Sequence, residues 1–575
     1  MRSEKMTSLI DLFNKQNIQY FAGPTQRNIE WDKKDFEKYY NDLMNDTSIK
    51  SKKHVHFMNT VVIKPFEENR LLKYISLTNG QQRMTTTYLH ICAICAYIKN
   101  NNLTDDEFNY ENIKNNLLVN PTQSGDDYYK LLLRKKDRDT LKRIVDELPT
   151  PLSNKTGSSK IITIYNYLYN QLNKFNYQET FDKLFYMVVT PVIVEPDDDE
   201  NTIFNDINST GKKLSLFDQV RSYCLGKYTL KEAEKLEEKY WEDIYNNIRG
   251  TENFIISFMT FILGERSRQT YDRFVELVDK EQDVESVLAK MYDFYKLYKT
   301  IETSTTPDEE VNYLLHGLNL IHPKSQLVGI VKLYSLFLNH EIDAALLKNC
   351  LKLLLSVTLR WKLKVNDSFG FRTFLTEKID WITPLNLYNK LYKKLSPFFV
   401  SDNQFTMILQ TKNFYKGKKE DFKEENSRVP SNINKITDYF LISIENHHYP
   451  KGRINPKQYT KEHICPQTLD NGWEHFFTVE DHHEYVHSLG NLTLTAYNSE
   501  YSNLPFEDKK TMKNGFEDDK LYLNKCICSY TSWTVDTIKQ RTELMAKELC
   551  EIFEIPVNKL PAQEHINQSV LVGGK

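Results

Sequence analysis

Glu462-His463-Ile464-Cys465-Pro466-Gln467 sets a carboxylate beside an imidazole, and downstream come Leu489-Gly490-Asn491-Leu492-Thr493-Leu494, then Asn498 and Asn503. These are the groups needed to hold one hard metal ion and to deprotonate one water. Phosphodiester cleavage asks for an attacking oxygen made nucleophilic and a leaving oxygen whose charge is neutralised. His463 fits the base, because a neutral imidazole can take a proton from water. Glu462 and Asn498 are candidate ligands for Mg²⁺ or another divalent cation, since oxygen ligands suit it. Adjacent strand residues point to opposite faces, so Glu462 and His463 share a site only if their strand bends or ends there. Asn503 is the alternative ligand. The spacing predicts a nuclease site. His475, His482, His483 and His487 lie nearby, but no Cys/His pair has zinc-finger spacing.

A second constellation stands far upstream. Asn79-Gly80-Gln81-Gln82-Arg83-Met84-Thr85-Thr86-Thr87 follows a strand expected over 73–78 and opens a helix expected to reach about Lys99. Strand, glycine turn and polar helix start form an anion-binding geometry, and an arginine fork suits phosphate. A capped helix with incidental polar residues fits the same pattern. Gly23-Pro24 ends an earlier element, and Gln26-Arg27 sits in a turn before a helix starting near Asp32. On spacing alone Arg27 is a solvated surface arginine. Gly211-Lys212 invites a P-loop, but the pattern needs glycine where Asp206 stands. The turn Asn208-Ser209-Thr210-Gly211 can still bring backbone N–H groups to a ligand, ahead of a helix carrying Asp218 and Arg221.

The positioning elements follow from periodicity. Residues 6–20 read as an amphipathic helix, 55–64 as a strand and 183–195 as a buried strand. From about 222 to 445 the pattern is helical, without an exact repeat. The basic stretch 130–143 reads as a solvated helix face, and Arg360, Lys362, Lys364, Arg372 and Lys393-Lys394 as scattered surface charges. Cys92 and Cys95 fall within the apolar helix and read as buried inert thiols. The 575 residues balance 75 basic against 78 acidic side chains, so bulk charge does not announce a nucleic-acid partner. Lacking a membrane-length apolar run or a signal-peptide core, the chain is expected in the cytoplasm.

Pro24-Thr25-Gln26-Arg27 with Trp31, Asn79 to Thr86, and Phe204 to Arg221 together resemble the N-terminal domain of the GmrSD-type modification-dependent restriction endonucleases. Glu462 to Gln467, Leu489 to Thr495, Asn498, Ser502-Asn503, Phe506 and Lys509 resemble their C-terminal HNH domain, and Trp533-Thr534, Ile538 and Arg541 its closing helix. The resemblance implies a mainly helical α+β chain. Its parts would be a ParB/sulfiredoxin-like sensing domain over 1–225, a helical region over 226–430, a ββα-metal nuclease domain over 431–558 and a tail over 559–575. It implies an anti-phage DNA endonuclease that nicks or cleaves, with His463 and Asn491 as catalytic residues. Asn491 would orient the histidine or hold the loop. Arg27, Asn79, Gln81, Gln82, Arg83 and Asn208 would bind a nucleotide, and DNA, including modified phage DNA, would be the partner. A homo-oligomer is compatible with the sequence. Asn79 departs from the family's Asp, so nucleotide binding is implied more firmly than hydrolysis, and Thr25 departs from its usual aromatic, which would alter what stacks in the pocket. A DNA-binding regulator without cleavage and an RNA-targeting nuclease toxin are the alternatives.

Overall fold

The computed structural model describes residues 2–23, 26, 28–45, 55–68, 71–103, 108–153, 157–195, 198, 215–228, 230–248, 250–321, 327–365, 373–416, 430–449, 454, 458–497 and 501–556. Arg27, Asn208 and Asn498 lie outside them. The chain is α+β and mainly helical. It divides into two compact units, 1–252 with 271–289 and 253–270 with 290–575.

The first unit is built on a mixed sheet. Its described strands are β1 (Arg2–Ser3), β2 (Thr7–Ser8), β3 (Ile18–Ala22), β4 (His56–Glu68), β5 (Lys73–Asn79), β6 (Leu131–Leu132) and β7 (Met187–Ile193). They run in the order β1-β7-β4-β5-β3-β6, with β2 also on β7. β3 is parallel to β5 and β6, and β4 is antiparallel to β5 and parallel to β7. The helix Gln81–Asn100 is buried on every side from Met84 to Ala96, the pattern of a core helix rather than an amphipathic one.

Residues 6–20 do not form one helix. Ser8 caps a short helix, Leu9–Phe13, by accepting from the Asp11 N–H, and Asn17 turns the chain at φ 51°. Ile18–Ala22 then enters the sheet with all five residues buried. A strand covered on both faces shows no alternation, which is why the periodicity misleads there. The buried strand expected over 183–195 is β7, preceded by the helix Tyr177–Leu184.

The basic stretch 130–143 is not simply a solvated face. Lys130 is buried, and its ammonium donates to the carbonyls of Phe13, Lys15 and Asn116 at 2.8, 2.9 and 2.5 Å. Arg134 is buried as well, whereas Lys135 beside it is exposed. Arg360 is likewise no surface charge. It lies inside the second unit, donating to Val400 O, Asp402 and Cys550 O.

Among its described residues the second unit is helical apart from one two-stranded sheet. β8 (Thr460–His463) pairs antiparallel with β9 (Leu492–Thr495), setting His463 opposite Leu492 and Glu462 opposite Thr493. The helix Val535–Ile552, started by a capping box at Thr534 and Thr537, packs against the turn Leu489–Asn491 that feeds β9. Gly490 permits that contact, because a Cβ there would stand 2.3 Å from Ile538 O and 2.4 Å from Thr542 Oγ1. No helix among the described residues is long and apolar enough to cross a membrane.

Candidate active site

β8 delivers Glu462 and His463 to its end and sends their side chains apart. Glu462 Oε1 accepts from Lys509 Nζ at 2.6 Å, and the same ammonium donates to His463 O at 2.9 Å. All three residues are buried. Burial pushes the Glu462 carboxyl up, with Lys509 opposing, and pushes the Lys509 ammonium down, with Glu462 opposing.

His463 faces a different set of groups. Its Nε2 lies 3.2 Å from His487 Nδ1. The Tyr415 ring meets it edge-on, centroids 4.6 Å apart, and lies 5.3 Å from the His487 ring at 31°. Burial holds the His463 imidazole well below its ordinary range, and the positive sides of His487, Lys509, Lys461 and His482 add to this. The ring is therefore neutral at physiological pH, the form a general base needs.

Asn491 is fully buried and closes the loop on itself. Its Oδ1 accepts from Cys465 N at 2.8 Å and Trp533 Nε1 at 3.0 Å, and its Nδ2 donates to Cys465 O and Val486 O. Arg541 Nη1 adds bonds to Gly490 O and Leu492 O at 2.6 and 2.8 Å. Asn491 hydrogen-bonds neither imidazole. Of the two roles expected for it, orienting the histidine or holding the loop, these bonds are those of the second, because every bonding position of its amide is occupied by the scaffold.

The expected oxygen cage also differs. Asn503 Nδ2 donates to Asp470 at 3.2 Å, and its carbonyl accepts from Asn471. Among the described residues no three His, Cys, Asp or Glu side chains gather where they could hold one ion. Glu462 is committed to Lys509, and the described side chains facing His463 are His487, Tyr415, Lys461, Lys509 and His482 rather than carboxylates. The described donors do not fit a hard divalent cation. Glu462 and His463 do not share a site, because strand alternation and the buried ammonium keep them apart.

In the first unit, Gly80 takes φ 92° between β5 and the core helix, its α-hydrogen side pressed against Val61. Arg83 bonds to Met58 O at 2.5 Å, Thr60 O at 2.8 Å and Asn79 Oδ1 at 3.4 Å, fastening the irregular start of β4. Those guanidinium bonds go to the scaffold, a correction to the fork expected on phosphate. Gln82 ties down the segment around Trp31, accepting from the N–H groups of Glu30 and Trp31. Gln81 is buried with neither amide atom partnered among the described residues.

Gln26 joins this motif to two buried arginines. Its Nε2 donates to Thr78 O at 2.6 Å, and its carbonyl accepts from Arg134 Nη1 at 2.9 Å and Arg221 Nη2 at 2.5 Å. Both guanidiniums flank Glu237. They line a cleft with Asn28, Lys136, Trp241 and Tyr245. Burial lowers both arginines, Arg221 to about 10, and Trp241 Nε1 is buried without a described partner. The ring stack of Tyr415 and the role of Arg134 left no sequence signal, since neither falls in a motif. His487 and Lys509 were visible only as a nearby histidine and a matching lysine.

No curated protein matches the chain. Two models of one family do, each in its expected place. The N-terminal domain of GmrSD restriction endonucleases matches residues 9–225, and their C-terminal domain matches 411–548. Membership in such a nuclease family points to DNA as partner and to divalent-cation use. With β5, Gly80 and the core helix inside the first match and β8, β9 and the closing helix inside the second, the chain belongs to the GmrSD restriction endonuclease family.

Proposed function

We propose that this restriction endonuclease is an HNH enzyme that cuts modified phage DNA in the cytoplasm under control of a nucleotide. The observation that carries the reading is His463: buried, neutral, at the end of β8, beside a loop locked by Asn491 and Arg541. Its Nδ1 has no hydrogen-bond partner among the described residues, and it would take the proton of the attacking water. Proton abstraction is the one step these side chains define. Asn491 holds the strand end that carries the base. The cleft of Arg134, Arg221 and Lys136 also holds Trp241, Tyr245 and the carboxylates of Glu30, Asp218, Glu234, Glu237, Glu238 and Glu242; its cationic forks and aromatic rings are the groups a nucleoside phosphate would use, and its acids would oppose a phosphate that came without a cation. Gln82 and Arg83 brace the walls next to it.

One observation favours a second reading, a DNA-binding regulator that does not cut: Glu462 is committed to Lys509 rather than open to a cation. The two readings separate on a panel of modified and unmodified DNAs, incubated with Mg²⁺ and with or without each NTP. The proposal expects cutting of modified DNA whose extent changes with one NTP, and none by His463→Ala. Cutting that ignores modification or nucleotide would remove that control. Binding without cutting on every substrate would favour the regulator.

A further inference from the structure

We propose that His487 is a positioning residue that selects the tautomer of His463 and thereby decides which ring nitrogen of His463 can accept a proton. This rests on the reading of His463 as the base. Their facing nitrogens, Nε2 of His463 and Nδ1 of His487, are 3.2 Å apart. A bond between two neutral imidazoles needs a hydrogen on one and a lone pair on the other. If His463 Nε2 donates, its Nδ1 keeps a lone pair and can act on water. If His487 Nδ1 donates instead, the lone pair of His463 is spent inside the pair and its Nδ1 carries a hydrogen. The same coordinates then hold an inert ring. In paired histidines the partner of one nitrogen sets the chemistry of the other.

The surroundings fix His487 in place. Its carbonyl accepts from Phe414 N at 2.8 Å, and Phe414 O accepts from Thr437 Oγ1 at 2.5 Å. The next peptide is held by Asn434, which accepts from Lys416 N and donates to Lys416 O at 2.7 and 3.0 Å. Between these anchors Tyr415 lays its ring along His487 and sets its edge against His463. The charged and titratable side chains facing His463 are Lys461, Lys509 and His482, with Glu462 on the far side paired to Lys509. They disfavour an added proton on His463, so a single hydrogen between the two facing nitrogens is what the geometry must place.

The test uses the full-length protein. Asn at position 487 offers an amide oxygen near the place of Nδ1, whereas Leu offers nothing. His487→Leu is expected to lower kcat about 10- to 100-fold, the usual cost of losing such a supporting partner, with KM little changed. His487→Asn should recover to within about threefold of native. In chain labelled with ¹⁵N-histidine, the His463 ring should show Nε2 protonated in native protein and in His487→Asn, and a mixture of tautomers in His487→Leu. Native cleavage by His487→Leu, with His463→Ala inactive, overturns this inference alone. So does lost cleavage with an unchanged His463 tautomer. Cleavage by His463→Ala overturns the reading beneath it. Should His487→Leu fail to fold, the tautomer and rate of His487→Asn decide: a native rate with Nδ1 of His463 protonated would contradict the proposal.

Discussion

The turn Leu489–Asn491 and the turn at Asn79-Gly80 solve one problem with opposite remainders. Each places a glycine in a crowded spot, and each is fastened by an arginine that donates to carbonyls: the buried Arg541 to Gly490 and Leu492, the half-buried Arg83 to Met58 and Thr60. In the second unit the amide core at Asn491 is complete, its oxygen and nitrogen both used, while Nη2 of Arg541 is buried without a partner among the described residues. In the first, Gln81 is left with both amide atoms unpartnered among the described residues. A satisfied buried amide is scaffold, and an unsatisfied one marks where water or ligand completes the fold. The turn beside His463 is thus built to hold still, as the proposed base would require.

Breaking the completed core should give the largest effect. Asn491→Leu strands Cys465 N–H and O, Val486 O and Trp533 Nε1, and should destabilise the second unit by about 5 kcal/mol in urea unfolding followed by Trp533 fluorescence. A loss under about 1 kcal/mol would mean the loop is held by other contacts. Lys509→Met leaves the Glu462 carboxylate buried and alone, and should cost about 3–5 kcal/mol. The double variant Glu462→Gln/Lys509→Met should regain most of that, because no unpaired charge remains. Equal loss in the single and double variants would show that Lys509 acts through His463 O instead.

An effect absent at neutral pH and seen only in acid sharpens the first unit. His90 is fully buried beside Tyr39 and Tyr40, with neither ring nitrogen partnered among the described residues. Burial lowers it from 6.5 to about 3. A depressed folded-state value means stability is present above the unfolded value and lost as pH falls from 6.5 toward 3. The slope is about 1.4 kcal/mol per pH unit for this group. His90→Phe should flatten the acid side of the first unit's stability profile, measured by thermal unfolding between those limits. An unchanged slope would place the acid sensitivity elsewhere.

The core helix after Gly80, the strand before it and the helical middle of the chain were legible because their patterns are long and their caps local. The 6–20 region was not, because a doubly buried strand and a short helix share one apolar run. At the site, the motif spelled out which residues matter but not what each does. Arg83 looks like a phosphate ligand in sequence, and its guanidinium is bonded to the backbone of β4. Tyr415 and Arg134 reach their places through tertiary contacts that no local spacing encodes. His487 carried only its type until the fold set it against His463.

The central claim is that His463 is the base of a nuclease whose other motif residues hold it in place. The most direct measurement is the cleavage rate of full-length His463→Ala on a DNA the native protein cuts, with folding checked by its unfolding curve. The account predicts native stability to within about 1 kcal/mol and a rate lower by at least about 100-fold, as loss of a general base requires. A stable variant that cuts at the native rate would contradict it.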